Sequence, residues 1–216
     1  RFFIEYPNKN EITNFNHFLL EKYHKSNKMK LLIEQLLLNI AIPKEILVKY
    51  WIRAYTCESD FYKETNYCLE KQDKENDFNI FIRVLYKSLQ KEIISPFIDK
   101  KLYRGSVIKK DELEYINNSL KNKKDDLPGC LCYNKSFLSS SLEEKVAIYF
   151  MKKKKEILKK NEELVLFEID KGKKIDCNNA SNADVQPFSF HDEKEILFFP
   201  FSSFEIIKVE KINLFN

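Results

Sequence analysis

The 216 residues carry 37 lysines and arginines against 33 acidic residues, a net charge of +4, with 44% hydrophobic and 14% aromatic content. That supplies a core for one large domain, or one domain with two lobes, and too little charge imbalance to point to nucleic acid or a membrane surface. Three glycines and six prolines exclude collagen-like and low-complexity chains, and no apolar run approaches the roughly 20 residues that cross a bilayer.

The first hundred residues read as helical. Asn10 to Tyr23 carries Ile12, Phe15, Phe18 and Leu19 at helical spacing, and Lys30 to Ile40 is strongly apolar. Pro43 marks a helix start, where its missing N–H costs nothing, and Ile46, Leu47, Tyr50, Trp51 and Ala54 follow on one face. Asp60 to Leu69 is a further short helix. Phe78, Phe81, Ile82, Leu85, Leu89 and Ile93 form the cleanest helix-period stripe, which Ser95-Pro96 ends.

After residue 100 the texture changes. Lys101 to Ile108 predicts a strand, Asp111 to Leu120 a helix, Asn122 to Gly129 a polar loop, and Ser136 to Ser140 a strand of small hydroxyl residues. Ser141-Leu-Glu-Glu144 has the capping-box pattern and predicts a helix from there to the Lys152–Lys155 run, read as a solvated helix end. Glu163 to Asp170, Lys174 to Cys177, Glu193 to Phe199 and Phe204 to Ile212 read as strands. The class is therefore α+β: a helical lobe over residues 1–100 packed on a β-rich core over 101–216, in a single domain.

Cys57, Cys68, Cys130, Cys132 and Cys177 contain no CxxC, and His17, His24 and His191 are scattered, so no metal is expected. The odd cysteine count leaves a thiol unpaired; Cys57 with Cys68, or Cys130 with Cys177, are conceivable pairs. Arg1 is not an initiator, so the chain reads as a cut or processed product, with a further domain before Arg1 left open.

Three short segments carry the chemistry. In LYRG (residues 102–105) Arg104 offers a fork for phosphate or carboxylate, and Gly105 lets a ligand approach the backbone. In FLSSS (137–141) three hydroxyls stand where a core strand would be apolar, with Ser139 and Ser141 on one face. Ser139 lacks the surroundings of a nucleophile. In HDEKEILFFP (191–200) Glu193 and Glu195 are two apart, which places both carboxylates on one strand face beside an apolar run. Such a pair is costly unless something uses it. Each segment alone is usually structural; their order as a set is the signal.

LYRG, FLSSS and EKEILFFP, in this order, resemble the arginine-serine-glutamate class of mono-ADP-ribosyltransferases, whose pattern is an aromatic-Arg-Gly strand, a Phe-x-Ser-Thr-Ser strand and a Glu-x-Glu before an apolar strand. AYTCESDFYKETNYCL (54–69) resembles that class's Tyr-Thr … Asn segment, so the likeness spans roughly residues 45 to 210. Ser140 stands where Thr is common, and the segment between Cys177 and Phe190 has no counterpart.

The resemblance implies a split β-sandwich ADP-ribosyltransferase core that binds NAD+ as co-substrate, with no metal. It implies transfer of ADP-ribose to an exposed arginine of a protein acceptor, with nicotinamide released. Glu195 would stabilise the oxocarbenium-like ribose and bind its 2′-OH. Arg104 would hold an NAD+ phosphate or the ribose side, Ser139 would support the nicotinamide pocket and orient Glu195, and Gly105 would lend backbone contacts to the nicotinamide amide. Glu193 would serve the acceptor guanidinium, and Phe190 would either stack on it or pack in the core. Tyr55 and Asn66 are read first as packing, and His191 and Asp192 need no catalytic role. Two alternatives remain open: an NAD+ glycohydrolase using the same site, and a non-catalytic interaction module. A soluble monomer is expected, secreted or intracellular, with neither nucleic acid nor membrane as partner.

Overall fold

The computed structural model of the chain describes residues 5–26, 30–31, 33–34, 44–57, 60–72, 76–92, 100–123, 130–170, 182–189 and 191–212. The helical lobe opens with α1 (Lys9–Lys22), capped reciprocally: Asn8 Oδ1 accepts from the Glu11 amide at 3.0 Å, and a Glu11 carboxylate oxygen accepts from the Asn8 amide at 2.8 Å. Next come α2 (Lys44–Thr56), α3 (Asp60–Lys71) and α4 (Phe78–Glu92). The α4 stripe, Phe78, Phe81, Ile82, Leu85 and Leu89, is buried, and it meets Phe15 and Leu19 of α1, Trp51 of α2 and Phe61 of α3 in one cluster. Phe61 stands edge-on to Phe81 with centroids 4.6 Å apart. Truncating a ring so enclosed costs about 3–5 kcal/mol. Of the predicted segment 30–40, Lys30, Leu31, Ile33 and Glu34 are described, and all four are helical. Pro43, Ser95-Pro96, Gly129, Gly172 and the predicted strand at 174–177 lie outside the described residues.

The second half is strand-rich, as its texture predicts. β1 (Leu102–Lys109), α5 (Lys110–Lys121), β2 (Cys130–Tyr133), β3 (Leu138–Ser141), α6 (Glu144–Lys155), β4 (Glu162–Ile169), β5 (Asn182–Asp184), β6 (Glu195–Phe198) and β7 (Ser203–Ile206) follow in chain order. Five strands form an antiparallel sheet in the order β4-β1-β3-β6-β5, and β2 pairs with β7 in a second, two-stranded sheet. The described chain is thus a mixed α+β fold with its helical lobe on one side of a β-core.

The layering explains the apolar run at 196–199. Leu197 and Phe199 join Phe137 and Ala183 in the cluster that includes the helical lobe. Ile196 and Phe198 face the other way, with Leu102 and Leu138. Phe198 meets Phe204 of β7 edge-on at 5.2 Å. Strand β6 is buried on both faces, so its pattern is continuous rather than alternating. Ser139 lies opposite Leu197 and Ser141 opposite Glu195. Residues directly opposite share a face, so Ser139, Ser141 and Glu195 all point toward the helical lobe.

Three local expectations are corrected. Strand β6 begins at Glu195, not Glu193, because Lys194 adopts a left-handed backbone (φ 49°) and breaks the extended run. Period-two alternation therefore does not connect Glu193 to Glu195. The Ser141 capping box does not form: α6 starts at Glu144 after Glu143, and the Ser141 hydroxyl instead donates to the Glu193 carbonyl at 2.5 Å and accepts from the Glu143 amide at 3.0 Å. Strand β7 ends at Ile206, short of Ile212. Cys57, Cys68, Cys130 and Cys132 are thiols in no disulfide, so Cys57 and Cys68 are not bridged; Cys177 lies outside the described residues.

Gly105 has a packing reason. A Cβ built there would stand 2.1 Å from the Ala147 carbonyl oxygen and 2.6 Å from the Met151 Cγ, both on α6. The methionine could yield, but the helix backbone could not without lifting α6 off β1. Gly105→Ala is expected to destabilise the fold by about 2–3 kcal/mol, read as a lower denaturation midpoint at unchanged m-value.

Candidate active site

The site is built where the lobe-facing side of β3 and β6 meets the helical lobe. Glu195 is 5% exposed at the head of β6. Its two carboxylate oxygens are held separately. Oε1 accepts from Ser139 Oγ at 2.7 Å, and Oε2 accepts from Ser189 Oγ at 2.9 Å. Burial is the leading influence on this carboxyl and raises it above its ordinary value; the two serine hydroxyls pull the other way, and the Glu193 charge adds to the rise. The repulsion expected of two close carboxylates is thus present but secondary to burial.

Arg104 lies where β1 and β3 part. Their register pairs Tyr103 with Ser141. A carbonyl beyond the ladder needs another donor, and Arg104 Nη1 donates to the Ser139 carbonyl at 2.6 Å. The guanidinium is thereby locked to the same residue that holds Glu195. Burial disfavours its charge, while the Glu195 carboxylate favours it; an arginine stays protonated under such pressures.

A second cation stands beside the first. Lys154, in the last turn of α6, donates from Nζ to the Gly105 carbonyl at 3.1 Å. Burial, with the adjacent Arg104 charge, pulls its ammonium down to about 8. The Lys152–Lys155 run is therefore not uniformly a solvated helix end. The signal was available: α6 buries Ala147 and Met151, and Lys154 continues that stripe at helical spacing.

The helical lobe contributes Tyr55. Its ring packs on Phe81 and Phe137, at centroid distances of 6.3 and 5.5 Å, and its hydroxyl donates to Asn66 Oδ1 at 3.1 Å. Burial pushes its phenol far up, and the nearby Glu195 carboxylate and Arg104 act on it electrostatically. Tyr55 thus packs as expected, is hydrogen-bonded to Asn66, and lies within electrostatic reach of the charged groups. Tyr62 of α3, which the sequence did not single out, lies near both Arg104 and Tyr55 while keeping 37% of its surface exposed.

Glu193 sits just off the strand, half-buried, with its backbone carbonyl bound by Ser141. His191 lies close enough to Glu195 to favour its ionised form. Phe188 packs against the core of the helical lobe, with Lys49 Nζ 5.5 Å from its ring centre; Phe190 lies outside the described residues. Among the described residues no cluster of three His, Cys, Asp or Glu side chains converges on a metal position, and no helix is long and apolar enough to cross a membrane.

No family model matches the chain, and no curated protein does. Among solved structures, the chain is similar to the crystal structure of ADP-ribosyltransferase Vis in complex with agmatine, with a TM-score of 0.55 and 20% identity over 97% of this chain and 83% of that one. Vis toxin, an ADP-ribosyltransferase from Vibrio Splendidus, matches with a TM-score of 0.53 and 20% identity over 98% of this chain and 84% of that chain. This chain has the ADP-ribosyltransferase fold. Within that fold Arg104, Ser139 and Glu195 form one hydrogen-bonded set, Gly105 follows Arg104 and accepts from Lys154, and Glu193 sits just before β6.

The ADP-ribosyltransferase fold also places residues that no motif announced. Ser189 and Gln186 occupy the turn between β5 and β6. Gln186 Oε1 accepts from the Glu195 amide at 3.1 Å. Strand β5 itself escaped sequence reading because Asn182-Ala-Asp184 has poor strand propensity and only three residues. Strand β2 is four residues long beside a polar loop and gave no periodic signal either.

Proposed function

We propose that this chain is a mono-ADP-ribosyltransferase that breaks the nicotinamide–ribose bond of NAD+ and passes ADP-ribose to an arginine side chain of a protein acceptor. The observation that carries the reading is Glu195: a buried carboxylate, oriented by Ser139 and standing beside Arg104, at the head of strand β6. A carboxylate withdrawn from water exerts its charge at low dielectric, where it most stabilises a developing cation. As the C–N bond of NAD+ breaks, its electron pair leaves with nicotinamide and the ribose gains oxocarbenium character. Glu195 would face that charge and accept from the 2′-OH. Arg104 and Lys154, two adjacent cations, suit the pyrophosphate, and Arg104 is held for it by the Ser139 carbonyl. A guanidinium nitrogen of the acceptor would then attack the anomeric carbon, and Glu193 would take its proton.

The fold's likeness to a Vis complex with agmatine, a guanidino compound, supports an arginine-like acceptor here. The test is nicotinamide release from NAD+ with and without agmatine. ADP-ribosyl-agmatine is the expected product. Nicotinamide release that ignores agmatine would leave the glycohydrolase reading, and no release with no NAD+ binding would leave the interaction module.

Lys154→Met is expected to raise the KM for NAD+ about ten-fold with kcat little changed. The wild-type KM should climb above pH 8, where the Lys154 ammonium loses its proton. In the variant the same profile should be flat through that range.

A further inference from the structure

We propose that Ser189 is a positioning residue for this site, the second jaw of a two-hydroxyl clamp that grips the Glu195 carboxylate from opposite oxygens. The proposal builds on the transferase reading for its role in turnover, and on geometry alone for the clamp itself. A carboxylate only accepts, so both serine hydroxyls must donate: Ser139 from strand β3 to Oε1, and Ser189 from the β5–β6 turn to Oε2. Among the described residues, four more titratable groups lie within electrostatic reach of Glu195. Tyr55 comes from α2 and Arg104 from β1, while His191 and Glu193 come from the segment just before β6. Burial and Glu193 work against ionisation of Glu195; the two hydroxyls are the leading influences in its favour.

Ser189 is held in place by its turn. The Gln186 amide donates to Asp184 Oδ1 at 3.0 Å, and the Phe188 and Ser189 amides donate to the Val185 carbonyl at 2.9 and 2.8 Å. The Val185 amide donates to the Glu195 carbonyl at 3.2 Å, and Gln186 Oε1 accepts from the Glu195 amide at 3.1 Å. Gln186 Nε2 also donates to Asp192 Oδ1 at 2.7 Å. The turn is therefore stitched to the backbone on both sides of the residue whose side chain Ser189 grips. Its function would be to keep Glu195 ionised and fixed, so that one lone pair on the carboxylate is always aimed at the incoming ribose hydroxyl.

The experiment is a carbon-13 titration of the Glu195 carboxyl in wild type, Ser189→Ala and Ser189→Thr, with the signal assigned by its absence in Glu195→Gln. Nicotinamide release from NAD+ is followed against pH on the same samples. Ser189→Ala is expected to move the carboxyl midpoint up by about one pH unit. The acid limb of kcat should follow by the same amount. Ser189→Thr, which keeps the hydroxyl, should restore both. A Ser189→Ala midpoint that matches wild type overturns the clamp, even if activity falls evenly across pH, because that pattern marks a merely structural serine. If wild type releases no nicotinamide, the transferase reading fails, yet the carboxyl titration still decides the clamp.

Discussion

Glu195→Gln is expected to cut nicotinamide release from NAD+ by about 10³-fold while leaving the protein at least as stable as wild type near neutral pH. The amide keeps the shape of the carboxylate and can still meet the Ser139 and Ser189 hydroxyls, which bind Oε1 and Oε2 today. What it removes is charge. In the wild type that charge is buried, and its carboxyl is raised above the ordinary range chiefly for that reason. A carboxyl whose folded value lies above its unfolded value binds more protons folded than unfolded over the interval between them. Stability of the wild type should therefore fall as pH rises through that interval. Glutamine has no such interval, so the melting curve of the variant should depend less on pH there. Thermal melts from the ordinary carboxylate range to neutrality check this, beside a nicotinamide assay. A variant that loses stability along with activity would mean that Glu195 is chiefly a structural anchor.

The cost of such a buried charge also explains why much of the candidate site was legible. An ionisable residue at the head of a strand buried on both faces is a local contradiction, and such contradictions gather at functional sites. Glu195, Ser139 and Arg104 each broke the pattern of a core strand in the same half of the chain, and the fold joins all three by hydrogen bonds. The helices of the first lobe were readable for the opposite reason: Phe78, Phe81, Ile82, Leu85 and Leu89 obey the helix period without exception, and all are buried. What escaped reading depends on side-chain direction rather than residue type. Four consecutive lysines look alike in sequence. Only the phase set by Ala147 and Met151 turns Lys154 toward Gly105, while its neighbours stay in solvent. Ser189 and Gln186 gave no signal at all, since their roles come from a turn whose closure depends on strand β6.

The placement of Glu193 depended on a conformation that composition does not encode. Lys194 in the left-handed region costs roughly 1 kcal/mol, and it is stabilised from two sides. Its carbonyl accepts from the Leu142 amide at 3.1 Å, and its ammonium binds Asp192 Oδ1 at 3.0 Å. The kink rotates Glu193 out of the strand register, so the two carboxylates are not stacked on one pleat. They can divide their tasks: one fixed in the sheet, the other on a loop at its edge.

Glu193→Gln should separate those tasks. Transfer of ADP-ribose to agmatine is expected to fall by about 10²-fold or more, the usual contribution of a general base. Hydrolysis of NAD+ by water should stay within about three-fold of wild type, because Glu195 and its two serines are untouched. The backbone at Glu193 is held independently of its side chain: its carbonyl accepts from Ser141 Oγ. Removing the Glu193 charge also relieves one of the influences that raise Glu195. The acid limb of the residual hydrolysis should accordingly move to lower pH, opposite to the shift expected for Ser189→Ala. Nicotinamide release and ADP-ribosyl-agmatine formation, measured together across pH, read both effects in one experiment. Equal loss of transfer and hydrolysis would place Glu193 with the NAD+ chemistry instead of the acceptor. Equal retention of both would assign the acceptor base to another residue.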